Sequence, residues 1–129
     1  DISFEIPDAQ TFVMIEKELK NYNLKFDIKS KPFKDNIIEV NTILKLIPNK
    51  DVKHRMLAEI NLTALVSIDK VFQEKERVEK IILVDVPTAI YPTLYEIFVY
   101  LFKQSGLKEI RIAKEVNFEK LYSEKLKSN

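Results

Sequence analysis

The side chains that could do chemistry in this 129-residue chain are few and poorly spaced for it. His54 is the sole histidine, in "NKDVKHRM" at the edge between a turn and a strand. Asp51 and His54 make no metal site without further ligands. Ser3, Ser30, Ser67 and Ser105 lack a nucleophile elbow or a nearby base. With no cysteine there is neither thiolate chemistry nor a disulfide. Gly106 is the single glycine, which excludes every Gly-rich phosphate loop. Glu74, Glu76 and Glu79 lie among Lys70, Lys75, Arg77 and Lys80 and read as a solvated helix face. The chain therefore reads as a non-enzyme, with no catalytic residue, no metal and no cofactor.

One set of carboxylates is ordered by periodicity. In "DISFEIP", Ile2, Phe4 and Ile6 point one way and Asp1, Ser3 and Glu5 the other, as in a half-buried strand that ends at Pro7. In "RMLAEINLTALVSID", Met56, Ala58, Ile60, Leu62, Ala64, Val66 and Ile68 are all apolar. Leu57, Glu59, Asn61, Thr63, Leu65, Ser67 and Asp69 lie opposite them. Glu59 and Leu57 thus occupy the polar side of their strand, as Asp1 and Glu5 do on theirs.

Further elements are needed to hold these strands. "PDAQTFVMIEKELKNYN" shifts to helical spacing through Phe12, Ile15 and Leu19, with Asp8 or Thr11 as the cap. Leu24, Phe26 and Ile28 alternate as a strand, and "SKPFKDN" carries turn chemistry. Ile38, Val40, Thr42, Leu44 and Leu46 share one face of the next strand; Glu39, Asn41 and Lys45 share the other with Ile37, Ile43 and Ile47. Residues 70 to 85 read as a short helix and "VPTAIYP" as an irregular connector. Pro92 then opens a long helix that stops at Gly106. "LKEIRIAKEV" alternates locally and reads as extended, and Asn117 caps a last short helix. Four strands followed by helices predict an α+β fold: a four-stranded antiparallel sheet with the long helix and a short C-terminal helix packed on one face.

The long helix is apolar nearly all round. Tyr91, Leu94, Tyr95, Phe98, Leu101 and Phe102 belong to two adjacent apolar stripes, with Val99 and Tyr100 further round. Such a helix is normally buried on more than one side, which predicts cover by a second subunit. The alternative is a helix wedged inside one thick core.

Bulk properties agree with a single domain over 1–129, trimmed at its start because it does not begin with Met. Its 21 basic and 20 acidic residues nearly cancel, so it is not built as a nucleic-acid binder. No run approaches 18 apolar residues, and the opening is acidic and alternating, unlike a leader.

Several of these stretches together resemble the SecB family of bacterial export chaperones. "DISFEIPDA" is similar to that family's opening strand, "MLAEI" with "VSI" to its last strand, "VPTAIYP" to its entry into the long helix, and "VNFEKLY" to its last-helix entry. The resemblance spans nearly the whole chain in order. It implies a cytoplasmic bacterial protein that assembles as a homotetramer, a dimer of dimers joined through the long helices. It implies an ATP-independent holdase that keeps unfolded preproteins competent for export, binds them in apolar grooves, and delivers them to the motor ATPase SecA without inserting into the membrane itself. Carried over, the SecA-docking surface is Asp1, Glu5, Leu57 and Glu59. The candidates for the client groove are Phe12, Val13, Met14, Ile15, Tyr22, Phe26, Leu65 and Phe72. The family is typically acidic, whereas this chain is balanced and ends in "EKLKSN". Its Gly pair on the last strand is replaced by "NLTAL", and Tyr22 stands where a Trp is common. These departures fit a second role, as a specialised SecB-like chaperone or interaction protein for one partner, such as the antitoxin of a toxin–antitoxin system.

Overall fold

A computed structural model of the chain describes residues 1–49, 52–72, 74–107 and 112–128. Strand β1 spans Ile2–Glu5, β2 Tyr22–Lys34, β3 Ile37–Pro48 and β4 Leu57–Ser67. They form one four-stranded antiparallel sheet in the order β1-β4-β3-β2. A long helix and shorter helices pack on one face of it. The helices are α1 (Ala9–Glu18), α2 (Lys75–Lys80), α3 (Val86–Gln104) and α4 (Phe118–Ser128). The α+β architecture expected from the order of periodicities is the one observed.

The sheet follows parity. On β3, Val40, Thr42, Leu44 and Leu46 are buried, and on and beside β4, Met56, Ala58, Ile60 and Ile68 are buried. Their odd-numbered neighbours are more exposed, with Ile43 the exception at 7%. Strand β2 runs further than expected, through Pro32 to Lys34, and only Asp35 and Asn36 form the turn. Proline is tolerated because β2 is an edge strand, where a missing N–H breaks no ladder bond. Asp35 takes a φ of 49°, a left-handed conformation that short polar side chains visit.

The second departure lies in "VPTAIYP". It is no irregular connector: it is helical, and Pro92 sits inside α3 instead of at its start. Helix continues from Lys75 to Gln104 through a π turn at Ile81–Asp85. In that turn the Val86 N–H bonds back five residues to the Ile81 carbonyl. One residue later comes Pro87, which has no N–H to donate. The Thr88 hydroxyl also donates to the Val84 carbonyl at 2.6 Å. The wide turn and the hydroxyl let the backbone pass Pro87 without ending the helix. By length and composition this 30-residue stretch would suffice to cross a membrane. Leu94, Phe98 and Phe102 on it are nonetheless completely buried in the protein's own core.

The described residues gather into two compact units. The first comprises Asp1–Asp27, Ile43–Asn61 and Thr93–Ile112. Its core is Ile15, Leu44, Ile60, Leu94, Phe98 and Phe102. Phe4 meets Phe102 edge-on at 5.2 Å, and Phe98 lies 5.1 Å from the same ring. Gly106 closes α3 with a φ of 86°, the conformation that favours glycine at a helix end. Among the described residues a side chain there would meet only the Phe12 ring, at 3.7 Å, and it is the backbone conformation that favours glycine. The second unit comprises Ile28–Thr42, Leu62–Pro92 and Ala113–Asn129. In it, Tyr91 packs edge-on against Phe118 at 6.0 Å, and its hydroxyl donates to the Ala113 carbonyl. Asn117 caps α4 as expected, its side chain accepting from the Lys120 N–H at 3.0 Å. Of the stretch expected to be extended, "LKEIRIAKEV", residues 108–111 lie outside those described, and the described residues on either side belong to no strand.

Candidate functional site

The register of β1 on β4 builds the candidate site. Ser3 stands opposite Glu59, and Glu5 opposite Leu57. Asp1 and Asn61 exchange both backbone bonds, at 2.9 and 2.8 Å. In an antiparallel ladder, hydrogen-bonded pairs recur every second residue. Ser3–Glu59 and Glu5–Leu57 are therefore hydrogen-bonded pairs as well, and their side chains share the face turned away from Ala58 and Ile60. All four residues expected from the sequence lie in the first unit and on this one face. Asp1 and Glu5 are exposed, Leu57 is 43% exposed, and Glu59 is half-buried.

One residue of this face carried no role in the sequence reading. Lys45, on β3, places its Nζ 3.3 Å from Glu59 Oε1. The Thr63 hydroxyl donates to Asn41 Oδ1 at 2.6 Å, and both cross-strand pairs obey one antiparallel register. Parity alone had set Lys45 on the outer face of β3, but only the register sets it beside Glu59. The face is thus three carboxylates and a leucine with one internal counter-charge, and it suits a partner that is basic and partly apolar. Asn61 Oδ1, on the same side of β4, is buried without a hydrogen-bond partner.

The residues expected in a client groove lie on several elements, α1, β2 and β4 among them, and belong to both units. On α1, Val13 is 53% exposed, Phe12 and Met14 are half-buried, and Ile15 is entirely covered. Tyr22 is a core residue whose hydroxyl accepts from the Met56 N–H at 3.5 Å. Phe26 is half-buried on β2. Ile15 and Tyr22 therefore offer no free surface, because the first unit needs them for its own packing. Leu65 is 58% exposed in the second unit. The side chain of Phe72 lies outside those described.

Helix α1 is held at its start by Asp8, which accepts from the Thr11 N–H at 2.7 Å. The Thr11 side chain, then its backbone N–H, lower the Asp8 carboxyl below the usual range, and His54 adds a small favourable charge. His54 has no other assigned part, and no group of three metal-ligating side chains exists among the described residues.

On α3, Tyr91, Leu94, Phe98 and Phe102 are buried by the protein itself, while Tyr95 and Leu101 are half-buried. Tyr100, at 61% exposure, is the most open large apolar side chain of the helix. What α3 leaves uncovered is consequently less than its composition suggests: Tyr100 lies open, and Tyr95, Val99 and Leu101 are half-covered. In the second unit, a cleft of about 750 Å³ is lined by Val84, Ala89 and Phe118 with Asp85, Glu115 and Glu119 at its rim. Lys80 pairs with Glu119 there at 3.5 Å.

Two comparisons bear on this arrangement. The family model for SecB, the preprotein translocase subunit SecB, matches residues 1–129. A protein of Pelagibacter ubique (strain HTCC1062) that carries the name protein-export protein SecB is 39% identical over 125 residues, covering 97% of this chain and 89% of that protein.

Proposed function

The chain belongs to the SecB family, and from that membership we propose that it acts as an ATP-independent holdase in protein export. Its general role is that of a SecB-like export chaperone. In finer terms, it binds unfolded preproteins through exposed apolar side chains in the bacterial cytoplasm and docks a SecA-type motor on the face of Asp1, Glu5, Leu57 and Glu59. It works as a dimer of dimers joined through α3.

The observation that carries the holdase reading is the set of large apolar side chains left in water. Val13, Phe33, Leu65 and Val71 are 53%, 57%, 58% and 79% exposed. Burying one such side chain contributes about 1.5–3 kcal/mol, so a long non-native client can bind tightly by summing weak contacts. Met14 adds an adaptable surface on α1. No chemistry is required, in keeping with a sequence that carries none.

The test is to measure affinities for several unrelated unfolded proteins and for one suspected cognate partner, such as an antitoxin. Micromolar or tighter binding to the unrelated set supports the holdase. Binding to the single partner alone moves the assignment to a dedicated chaperone, the role that the balanced charge fits.

A further inference from the structure

We infer that Lys45 sets how strongly the docking face holds a basic partner, by occupying the Glu59 carboxylate that the partner must take. The inference rests on the docking reading above and deepens it.

The geometry is local. Lys45 and Glu59 are neighbours on adjacent strands, 3.3 Å apart, with side chains 40% and 31% exposed. They are screened less than a fully exposed pair. Glu59 stands opposite Ser3, between the Asp1–Asn61 and Glu5–Leu57 positions, so it is the central carboxylate of the face. A lysine or arginine of a partner that approaches Glu59 meets an ammonium already seated there. Before docking, Lys45 must swing away, and the face is competent only in the fraction of molecules where it has done so.

Lys25 supplies an internal comparison. It is exposed on β2, on the same outer face by parity, and has no ion pair among the described residues. Its charge repels a basic partner through space, but it occupies no carboxylate. Competition and plain repulsion are thereby separable.

The experiment measures the Kd of purified SecA for five variants at one fixed salt concentration: Lys45→Met, Lys25→Met, Glu59→Gln, the Lys45→Met/Glu59→Gln double variant, and Leu57→Ala. Lys45→Gln serves as a second neutral replacement, and matching urea midpoints establish that each variant is folded. A partly exposed pair of this kind corresponds to roughly a two- to fivefold population bias. Lys45→Met is therefore expected to tighten binding about two- to fivefold, more than Lys25→Met does, with the gain lost in the Glu59→Gln background. If Leu57→Ala weakens binding but Lys45→Met leaves it unchanged, or if the gain persists without Glu59, the role of Lys45 is overturned and the docking face stands. If neither Leu57→Ala nor Glu59→Gln alters the Kd, the docking reading itself falls.

Discussion

The strand that ends at Glu5 and follows Asp1 is only four residues long and pairs on one side alone. Its place depends on Phe4, whose ring stands 5.2 Å from Phe102 at an interplanar angle of 87°. Phe102 is 1% exposed, so Phe102→Ala removes a completely buried ring and is expected to destabilise by about 3–5 kcal/mol. Phe4 is half-buried, and Phe4→Ala is expected to cost about 2 kcal/mol. Because the two rings touch edge-on, the double variant should lose less than the sum, by about 0.5–1.5 kcal/mol. Urea unfolding at a single protomer concentration measures all three variants, the fixed concentration being needed because assembly adds to apparent stability. Amide exchange supplies a local readout. Ser3 and Glu5 donate to β4, and Phe4→Ala should speed their exchange about tenfold for each 1.4 kcal/mol of lost anchoring. A coupling within about 0.3 kcal/mol of zero, with unchanged exchange at Ser3 and Glu5, would refute the claim that α3 positions the docking strand.

In sedimentation the protein should run as a dimer of dimers, and Tyr100→Glu, at the most open apolar position of α3, should shift it toward smaller species without altering its melt; a stable monomer at micromolar concentration contradicts the proposed assembly. The lowered Asp8 carboxyl predicts an acid-labile cap. Its contribution is complete above the unfolded value, about 3.9, and is lost as the pH falls through the lower native one. The stability gap between the parent and Asp8→Ala should therefore be constant near neutrality and close in acid, and a gap independent of pH down to 2 would show that Asp8 does not act as a charged cap.

Much of the fold could be read from alternation because burial on a sheet obeys parity, and "RMLAEINLTALVSID" carries it without interruption. The Asn117 cap was legible for a similar reason, since it acts over three residues. Pro32 and Pro92 misled because proline reports only on its own N–H and ring, not on whether that N–H had a partner to lose. On the edge strand Pro32 had none; inside α3 Pro92 does give up one α-helical bond, to the Thr88 carbonyl, and the helix runs on through it. The burial of Tyr91, Leu94, Phe98 and Phe102 was open in the sequence: an apolar helix shows that it is covered, not by what. Lys45 shows the remaining limit. Its face follows from its own position in β3, but its neighbour depends on the offset between two strands joined by a loop, which no local pattern encodes.

The π turn at Ile81–Asp85 also bears on descent. A helix that takes in one extra residue without refolding its ends holds it as a single wide turn of this kind. The segment therefore carries the mark of an insertion absorbed in place. A related chain one residue shorter between Lys80 and Val86 would keep Tyr91 against Phe118 and need no wide turn. The residues on either side of the turn would present the same faces in both chains, with a numbering offset of one, a step of about 100° on a helix. Alignments that place a one-residue gap elsewhere in the helix would misassign the faces of the residues between that gap and the turn, so this turn is where sequence comparisons of the helix should be anchored.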